Sequence, residues 1–431
     1  MLTYQPEYQI IHSNGFNDIN FRIRYIDFKQ YFNDFEKDEI LNEKEAKNIF
    51  NSAEKILNEK VVQDFALEKQ YLRVRISDTQ KIDLFISLVL SALQSFYEEN
   101  EVHITRMFGS FIYLKRVDGK LTAVHATPIP IQYCPLMKNL LTEVGGKAAT
   151  QLLEMVSKGV PDSASLMCNL INEVVIKGGY FDTSRPLNSC EVNVLFGASE
   201  TISSAFEANL IDAAVIVSNN LGTIITTNQS NTQGAVKRMT GLFATSPSAE
   251  LTRTAVDADI ILVFPNTAII DQLEGVKKAI SLGYKKIAVS VAWQDNSILE
   301  EINKLQSDEI TIYKFALCST GLKKEVAKYI MQYADLVCSC SSLAVKEFIE
   351  PNAIAQVGVK IPVYILTENG WGLVKNHLYK LAKSRDENID LDSVNLISGD
   401  NRTVIYNENG HFTKAIKQSL SPCTDCPFPC I

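Results

Sequence analysis

Three cysteines near the end of the chain have types and spacing that could do chemistry. Pro422-Cys423-Thr424-Asp425-Cys426-Pro427-Phe428-Pro429-Cys430 sets them out as C-x2-C-x3-C. Two thiolates two residues apart can reach one metal ion, and the prolines stiffen the loop around them. Iron–sulfur clusters use similar cysteine runs with proline nearby. A closed site takes a fourth ligand, and Cys134, also beside a proline, or Cys340 could supply it. Structural zinc is the chief alternative, and a redox dithiol or an unliganded run remain open. Three exposed thiols in a reducing cell invite oxidation, which favours a use for them.

A second group of candidates lies where apolar runs give way to polar loops. Gly197-Ala198-Ser199-Glu200-Thr201 follows the run Val192–Phe196, Cys318-Ser319-Thr320-Gly321 follows Thr311–Ala316, and Cys338-Ser339-Cys340-Ser341-Ser342 follows Leu336–Val337. In a doubly wound sheet, ligands bind where strand carboxyl ends meet helix N-termini. Gly197 allows a tight turn, and Ser199 is placed to cap a helix whose backbone N–H groups could hold an anion. Gly197, Ser199, Glu200, Ser319, Thr320 and Gly321 are therefore candidate contacts to a small anionic ligand. Ser and Thr are also simply good helix caps, and three junctions together are what favour the ligand. Gln233-Gly234-Ala235-Val236-Lys237-Arg238-Met239-Thr240-Gly241 adds adjacent cations between glycines, and Arg238 could grip a phosphate or carboxylate bidentately. A solvated helix face is the other reading.

Several chemistries are not supported. There is no Gly-x-Gly-x-x-Gly and no Gly-Lys-Ser/Thr P-loop. None of the five histidines, at 12, 103, 125, 377 and 411, falls at a strand end of the expected core, so no Ser-His-Asp arrangement or His-based zinc site is expected. The net charge of −8 does not suit a non-specific nucleic-acid binder. The apolar stretch Leu84 to Leu93 is far short of the roughly 20 residues that span a bilayer. The first residues lack a basic n-region and an apolar h-region, so the expected setting is a reducing cytoplasm. Cys168 and Cys190 are expected to be structural.

The elements that must position these residues fall into four stretches of the 431 residues. Residues 1–101 are acidic, with 17 Asp and Glu against 12 Lys and Arg in the first 100. A 3.6-residue apolar stripe from Leu41 to Leu67 predicts one amphipathic helix, and Ile82 to Phe96 a buried one. Tyr71–Ile76 alternates like an exposed strand. This is an α+β module, with scaffolding or dimer formation its simplest role. Residues 102–190 form a β-rich connector and helical linker, with a hairpin about Asp118-Gly119.

Residues 191–385 alternate short apolar runs with amphipathic stretches. The runs are Val192–Phe196, Ala213–Val217, Thr223–Thr227, Ile260–Phe264, Ile287–Val291, Thr311–Ala316, Leu336–Val337 and Pro362–Ile365. The helical stretches include Asp271–Leu282, Ser297–Leu305 and Leu322–Tyr333. This predicts an α/β fold with a mostly parallel, doubly wound (Rossmann-like) sheet, and a local hairpin across Asn219-Asn220 and Gly222. Residues 386–431 read as a polar tail ending in the cysteines.

Several segments together resemble the methanogenesis marker protein 8 family. They are Tyr133-Cys134-Pro135-Leu136, Phe196-Gly197-Ala198-Ser199-Glu200, Asp212 through Val217, Gln233-Gly234 with Arg238 and Gly241-Leu242, and Thr245-Ser246-Pro247. Ile270 through Ala279 with Gly283-Tyr284 match best, and Thr320-Gly321, Tyr333-Ala334-Asp335 and Lys360 through Tyr364 extend the match. It covers about residues 105–385 in order, with residues 1–100 and the cysteine run as additions. The resemblance implies an α/β fold and, by association with methyl-coenzyme M reductase, a role in maturing that enzyme or its nickel or iron–sulfur cofactors. It supplies no reaction. Where the family has Cys-Asp-Gly this chain has Ser218, Asn219 and Asn220; two glycines before the arginine become Val236 and Lys237; and a His-Thr-Thr-Gly pattern becomes Cys318-Ser319-Thr320-Gly321.

The leading expectation is an accessory protein of metallocofactor assembly or metalloenzyme activation. It would bind a small anionic ligand in the core, an iron–sulfur cluster at Cys423, Cys426, Cys430 and Cys134, and a metalloenzyme client. Two alternatives stand beside it. One is a cytosolic α/β enzyme acting on a phosphorylated or carboxylated small molecule, and the other a non-catalytic interaction module. A homo-oligomer is compatible with all three.

Overall fold

The computed structural model describes residues 4–13, 15–35, 38–77, 79–130, 138, 141–142, 145–157, 163–191, 194–237, 241–292, 298–339, 342–359 and 362–420. Near its beginning, period-2 alternation makes a four-stranded antiparallel sheet. Its order is Tyr8–Ser13, Phe16–Arg22, Tyr71–Ser77, Val62–Glu68. Tyr71–Ser77 is an inner strand with only one face outward: Leu72, Val74 and Ile76 are buried, while Arg73 and Arg75 are exposed. The buried face packs on the helices Glu43–Leu57 and Ile82–Glu99. The single helix expected to reach Leu67 stops at Leu57. Asn58 takes the left-handed conformation at φ 50°, which Asn tolerates, and the chain turns back into Val62–Glu68.

A second antiparallel sheet runs Gly241–Ala244, Val102–Met107, Ser110–Val117, Lys120–Ala126. Its hairpins turn on Phe108-Gly109 and Asp118-Gly119, all four at positive φ, the two-residue turn that suits strand twist. The helices Gly146–Ser157 and Ala164–Leu170 accompany it.

The largest sheet has ten strands. Ala213–Ser218, Lys286–Ala292, Thr311–Leu317 and Leu336–Cys338 lie side by side and parallel. The crossover helices Gln272–Ser281, Ile298–Asn303 and Lys324–Tyr333 cover one face. Ala198–Glu207 and Glu368–Lys383 cover the other.

The expected mostly parallel sheet is corrected to a mixed one. Gly222–Thr226 returns antiparallel across Asn219–Leu221, and Val363–Ile365 and His411–Ile416 also pair antiparallel with their neighbours. Gly222–Thr226, Val363–Ile365 and His411–Ile416 each follow the preceding strand by a connection too short for the crossover that parallel pairing needs. Gly222, at φ +66°, belongs to the first of these turns, and a Cβ there would lie 2.2 Å from the Ala268 carbonyl oxygen. Two further expectations change. The described part of Val192–Phe196 is a turn, in which Gly197 N–H donates to Val194 O at 3.2 Å. The polar tail contributes the hairpin Thr403–Glu408 and His411–Ile416 to the sheet edge. Buried Arg402 anchors that hairpin, donating to Gln356 at 3.1 and 2.9 Å and to Glu350 at 2.6 Å. Among the described residues no helix is long and apolar enough to cross a membrane.

Candidate functional site

Of the strand-end residues singled out in the sequence, Ser199, Glu200 and Ser319 hydrogen-bond within the protein. Gly197 is the N-cap of Ala198–Glu207 and offers no side-chain cap. Ser199 lies inside the first turn instead of capping it. Its hydroxyl donates to Glu200 Oε2 at 2.8 Å. Glu200 is buried, and its Oε1 accepts from Val194 N–H at 3.0 Å and Gln233 Nε2 at 3.2 Å. It thus staples the loop that the sequence suggested as a strand. Gly234 serves packing, because a Cβ there would meet Asn188 N at 2.3 Å. The Ser319 hydroxyl donates to Cys338 O at 2.9 Å. The carbonyls of Cys318 and Thr320 accept from the Arg106 guanidinium at 3.0 and 2.7 Å, and Gly321 completes the turn at φ 66°. Arg106 therefore grips this loop from the second sheet. Arg238, Cys134, Cys340, Cys423, Cys426 and Cys430 lie outside the described residues. Among the described residues no group of three or more His, Cys, Asp and Glu side chains is arranged to hold a metal.

A cavity of about 780 Å³ opens elsewhere, between the N-terminal module and the core. Pockets of roughly 300–1,000 Å³ take small molecules and cofactors. One wall is the segment Arg22 to Asp27 together with Tyr31 and Gln70. The other is Phe243 to Thr245 and Ala268 to Leu273, with Ile298 and Glu301 at the side. The charged groups are disposed unequally. Asp271 caps Gln272–Ser281 by accepting from Glu274 N–H at 3.1 Å, and it accepts from Arg22 Nη2 at 3.0 Å. Asp27 accepts from Lys29 N–H at 3.1 Å, and Glu301 pairs with Lys304 at 2.7 Å. Arg22 stacks on Tyr71 and Phe264, with its carbon centre 5.4 and 5.6 Å from the rings. Its Nε–H is buried and has no hydrogen-bond partner among the described residues. A buried donor left without an acceptor is costly, roughly 1–3 kcal/mol, and calls for one.

Arg24 stands beside it, 5% exposed, with its guanidinium 4.5 Å from the Tyr97 ring. It donates to Ser246 Oγ at 2.5 Å and Thr245 O at 3.3 Å. Behind Thr245 a polar chain runs through the wall. Thr245 Oγ1 lies 2.8 Å from His103 Nδ1, and His103 Nε2 lies 3.1 Å from Glu101 Oε1. Arg116 bonds the other Glu101 oxygen. Thr245 Oγ1 also accepts from Asn220 N–H at 2.9 Å, at the turn that ends Ala213–Ser218. Burial pushes the Glu101 carboxyl up, but hydrogen bonds from His103 and the charge of Arg116 hold it below the usual value. Burial pushes the His103 pKa down, aided by the Arg24 and Arg185 charges and opposed by Glu101. The imidazole is then neutral, its Nε2–H donating to Glu101 and its Nδ1 accepting from the Thr245 hydroxyl.

The sequence did not reveal this chain. Glu101-x-His103 is readable as one face of a strand, but Thr245 lies 142 residues away. The Arg22–Tyr31 wall gave no signal beyond its aromatic content.

Fold and site together define a mixed α/β protein with a polar cavity where an appended module meets the core. The chain belongs to the family described as "Uncharacterized protein conserved in archaea (DUF2099)", whose model matches residues 103–379. It is similar to "Uncharacterized protein MJ0054" of Methanocaldococcus jannaschii, 36% identical over 289 residues, which cover 66% of this chain and 90% of that protein. The cavity straddles the limit of the family match, since the Arg22–Tyr31 wall and Gln70 precede residue 103.

Proposed function

We propose that this protein is a cytoplasmic accessory factor of metallocofactor assembly or metalloenzyme activation, and that it binds a small anionic ligand in the cavity between module and core. The observation that carries the ligand is Arg22, whose guanidinium lines a 780 Å³ polar space with its side chain 15% exposed and bonds Asp271 through Nη2, at one end of the guanidinium. An anion in the cavity could accept from the exposed part of that guanidinium and meet a positive charge, the stronger kind of hydrogen bond. The metal half rests on the donor set Cys423, Cys426 and Cys430 with Cys134, whose spacing suits an iron–sulfur cluster, with zinc the other metal. The motifs that resemble methanogenesis marker protein 8 fall largely within the stretch matched by the archaeal family, which supports carrying the metalloenzyme association to this chain. The run of four parallel strands supports a Rossmann-like ancestry for the core.

Thermal unfolding with inorganic phosphate and small carboxylates tests the ligand. A ligand at one hundred times its Kd stabilises by about 2.7 kcal/mol. The midpoint of the wild-type protein should rise, and that of Arg22→Gln should not. Equal responses in the two proteins would show that the anion site is elsewhere. Anaerobic purification with iron, sulfide and zinc analysis tests the metal. Metal should be present and fall in Cys423→Ser; a metal-free wild-type protein would sink that half.

A further inference from the structure

We infer that the cavity takes a nucleotide-like ligand, a planar heteroaromatic ring joined to a phosphate or carboxylate. This rests on the cavity being the ligand site, and it names what fills the space beyond the anion.

The cavity has three kinds of wall. The first is the Arg22 guanidinium, which lines the cavity partly exposed, bonds Asp271 through Nη2 and can donate to an anion as well. The second is aromatic. Tyr31 of the module and Phe243 of the core both line the cavity, and their ring centroids lie 5.8 Å apart at 58°. Phe111 touches both, at 5.2 and 5.4 Å, so the three rings brace one another. Rings held in this way are a rigid surface on which a flat ligand can stack without ordering a mobile side chain. Burial, with the nearby Asp27 charge, pushes the Tyr31 hydroxyl well above its usual range, so this wall stays uncharged. The third is amide. Gln70 and Gln272 line the cavity, and Gln272 is only 3% exposed. An amide presents a donor and an acceptor together, the pattern that reads the edge of a nitrogen heterocycle.

The three demands narrow the ligand class. A sugar phosphate or a small inorganic anion satisfies the arginine and leaves the rings unused. A purely apolar acid covers the rings but leaves the amides facing hydrocarbon, which is costly. A heteroaromatic ring with an anionic substituent meets all three, and a volume of 780 Å³ accommodates one. The module supplies Arg22, Tyr31 and Gln70, and the core supplies Phe243 and Gln272. The ligand is thus gripped from both sides.

Calorimetric titration of the full-length protein separates the outcomes. The probes are AMP, GMP, a pyridine carboxylate, ribose 5-phosphate and inorganic phosphate. Stacking on an aromatic side chain is worth roughly tenfold in affinity or more. At least one ring-bearing anion should therefore bind about tenfold tighter than ribose 5-phosphate. The nucleotides and the pyridine carboxylate then decide between phosphate and carboxylate as the anionic group. Phe243→Leu should bring the affinities for ring-bearing anions and ribose 5-phosphate together. Gln70→Ala, at an exposed position that does not endanger folding, should change the preference among the ring-bearing ligands. Equal affinity for ribose 5-phosphate and every ring-bearing anion would overturn the inference while leaving the anion site standing. Binding that is indifferent to Arg22→Gln, or no binding at all, would overturn both.

Discussion

His103 shows how far surroundings can fix the state of one side chain. It is fully buried, its ring lies 4.6 Å from that of Phe181, and Glu101, Thr245, Arg24 and Arg185 face it. Burial is the largest influence on its proton, and it lowers the folded-state pKa below the ordinary value of 6.5. The unfolded chain then binds that proton more readily than the folded one. The stability that neutral His103 brings is therefore complete above pH 6.5 and is lost as pH falls through the window beneath it. His103→Gln removes the titration and keeps an amide able to reach both neighbours. The difference in unfolding midpoint between wild type and His103→Gln should shrink on going from about pH 8 to about pH 5. A difference that stays constant across that range would show that His103 does not carry the proton described. The strand-end serines and threonines make the complementary point. Their positions were legible in the sequence as polar loops, but their partners were not. Ser319 and Glu200 bond Cys338, Val194 and Gln233, partners that no local spacing announces.

Elements were legible where pattern and local geometry agreed. Ala213–Ser218 and Lys286–Ala292 are rich in Val, Ile and Ala, and Thr311–Leu317 is mostly apolar, because both sheet faces are covered; all three formed within a residue or two of expectation. The Asp118-Gly119 turn was equally plain. The misreadings have local causes. The apolar stripe past Leu57 continues at helical spacing by coincidence, while Asn58 turns the backbone and Val62–Glu68 pairs with Tyr71–Ser77. The Thr403–Glu408 and His411–Ile416 strands were hidden by the Asn- and Asp-rich stretch from Asp386 to Asn401 that precedes them. Yet Asn409-Gly410 between them, both at positive φ, is the usual two-residue hairpin signal. Mixed pairing of the large sheet was the hardest to see, because strand direction depends on connections and not on strand composition. The cavity was invisible for the same reason. Its walls come from residues 22–31, 70, 243–245 and 268–273, and no local spacing relates them.

At the scale of the whole molecule, the question is what holds the module on the core, since each supplies part of the cavity. Polar contacts carry much of it. Arg22 meets Asp271, Arg24 meets Thr245 and Ser246, and Tyr4 bonds Glu274. The deepest contact is Glu7, 2% exposed, which accepts from Asn266 N–H at 2.9 Å, Asn266 Nδ2 at 2.8 Å and Thr267 Oγ1 at 3.3 Å. Burial raises its pKa, and these hydrogen bonds with the Lys278 charge only partly offset the rise. Burial lowers Lys278 in turn, and its ammonium donates to Leu262 O at 2.9 Å. A carboxyl whose folded-state pKa lies above its ordinary 4.5 binds its proton more tightly in the folded protein. Its contribution is complete below pH 4.5 and is lost as pH rises through the folded-state value, because the ionised form is the one penalised by burial. Glu7→Gln cannot ionise, so it escapes that loss. The variant should gain on the wild type in unfolding midpoint as pH is raised from about 4 to about 8. A difference that does not move with pH would mean that Glu7 titrates as it does in the unfolded chain, and that the seam is not the desolvated contact its geometry indicates. Movement in the expected direction would place an ionisable group inside the joint that also forms the cavity.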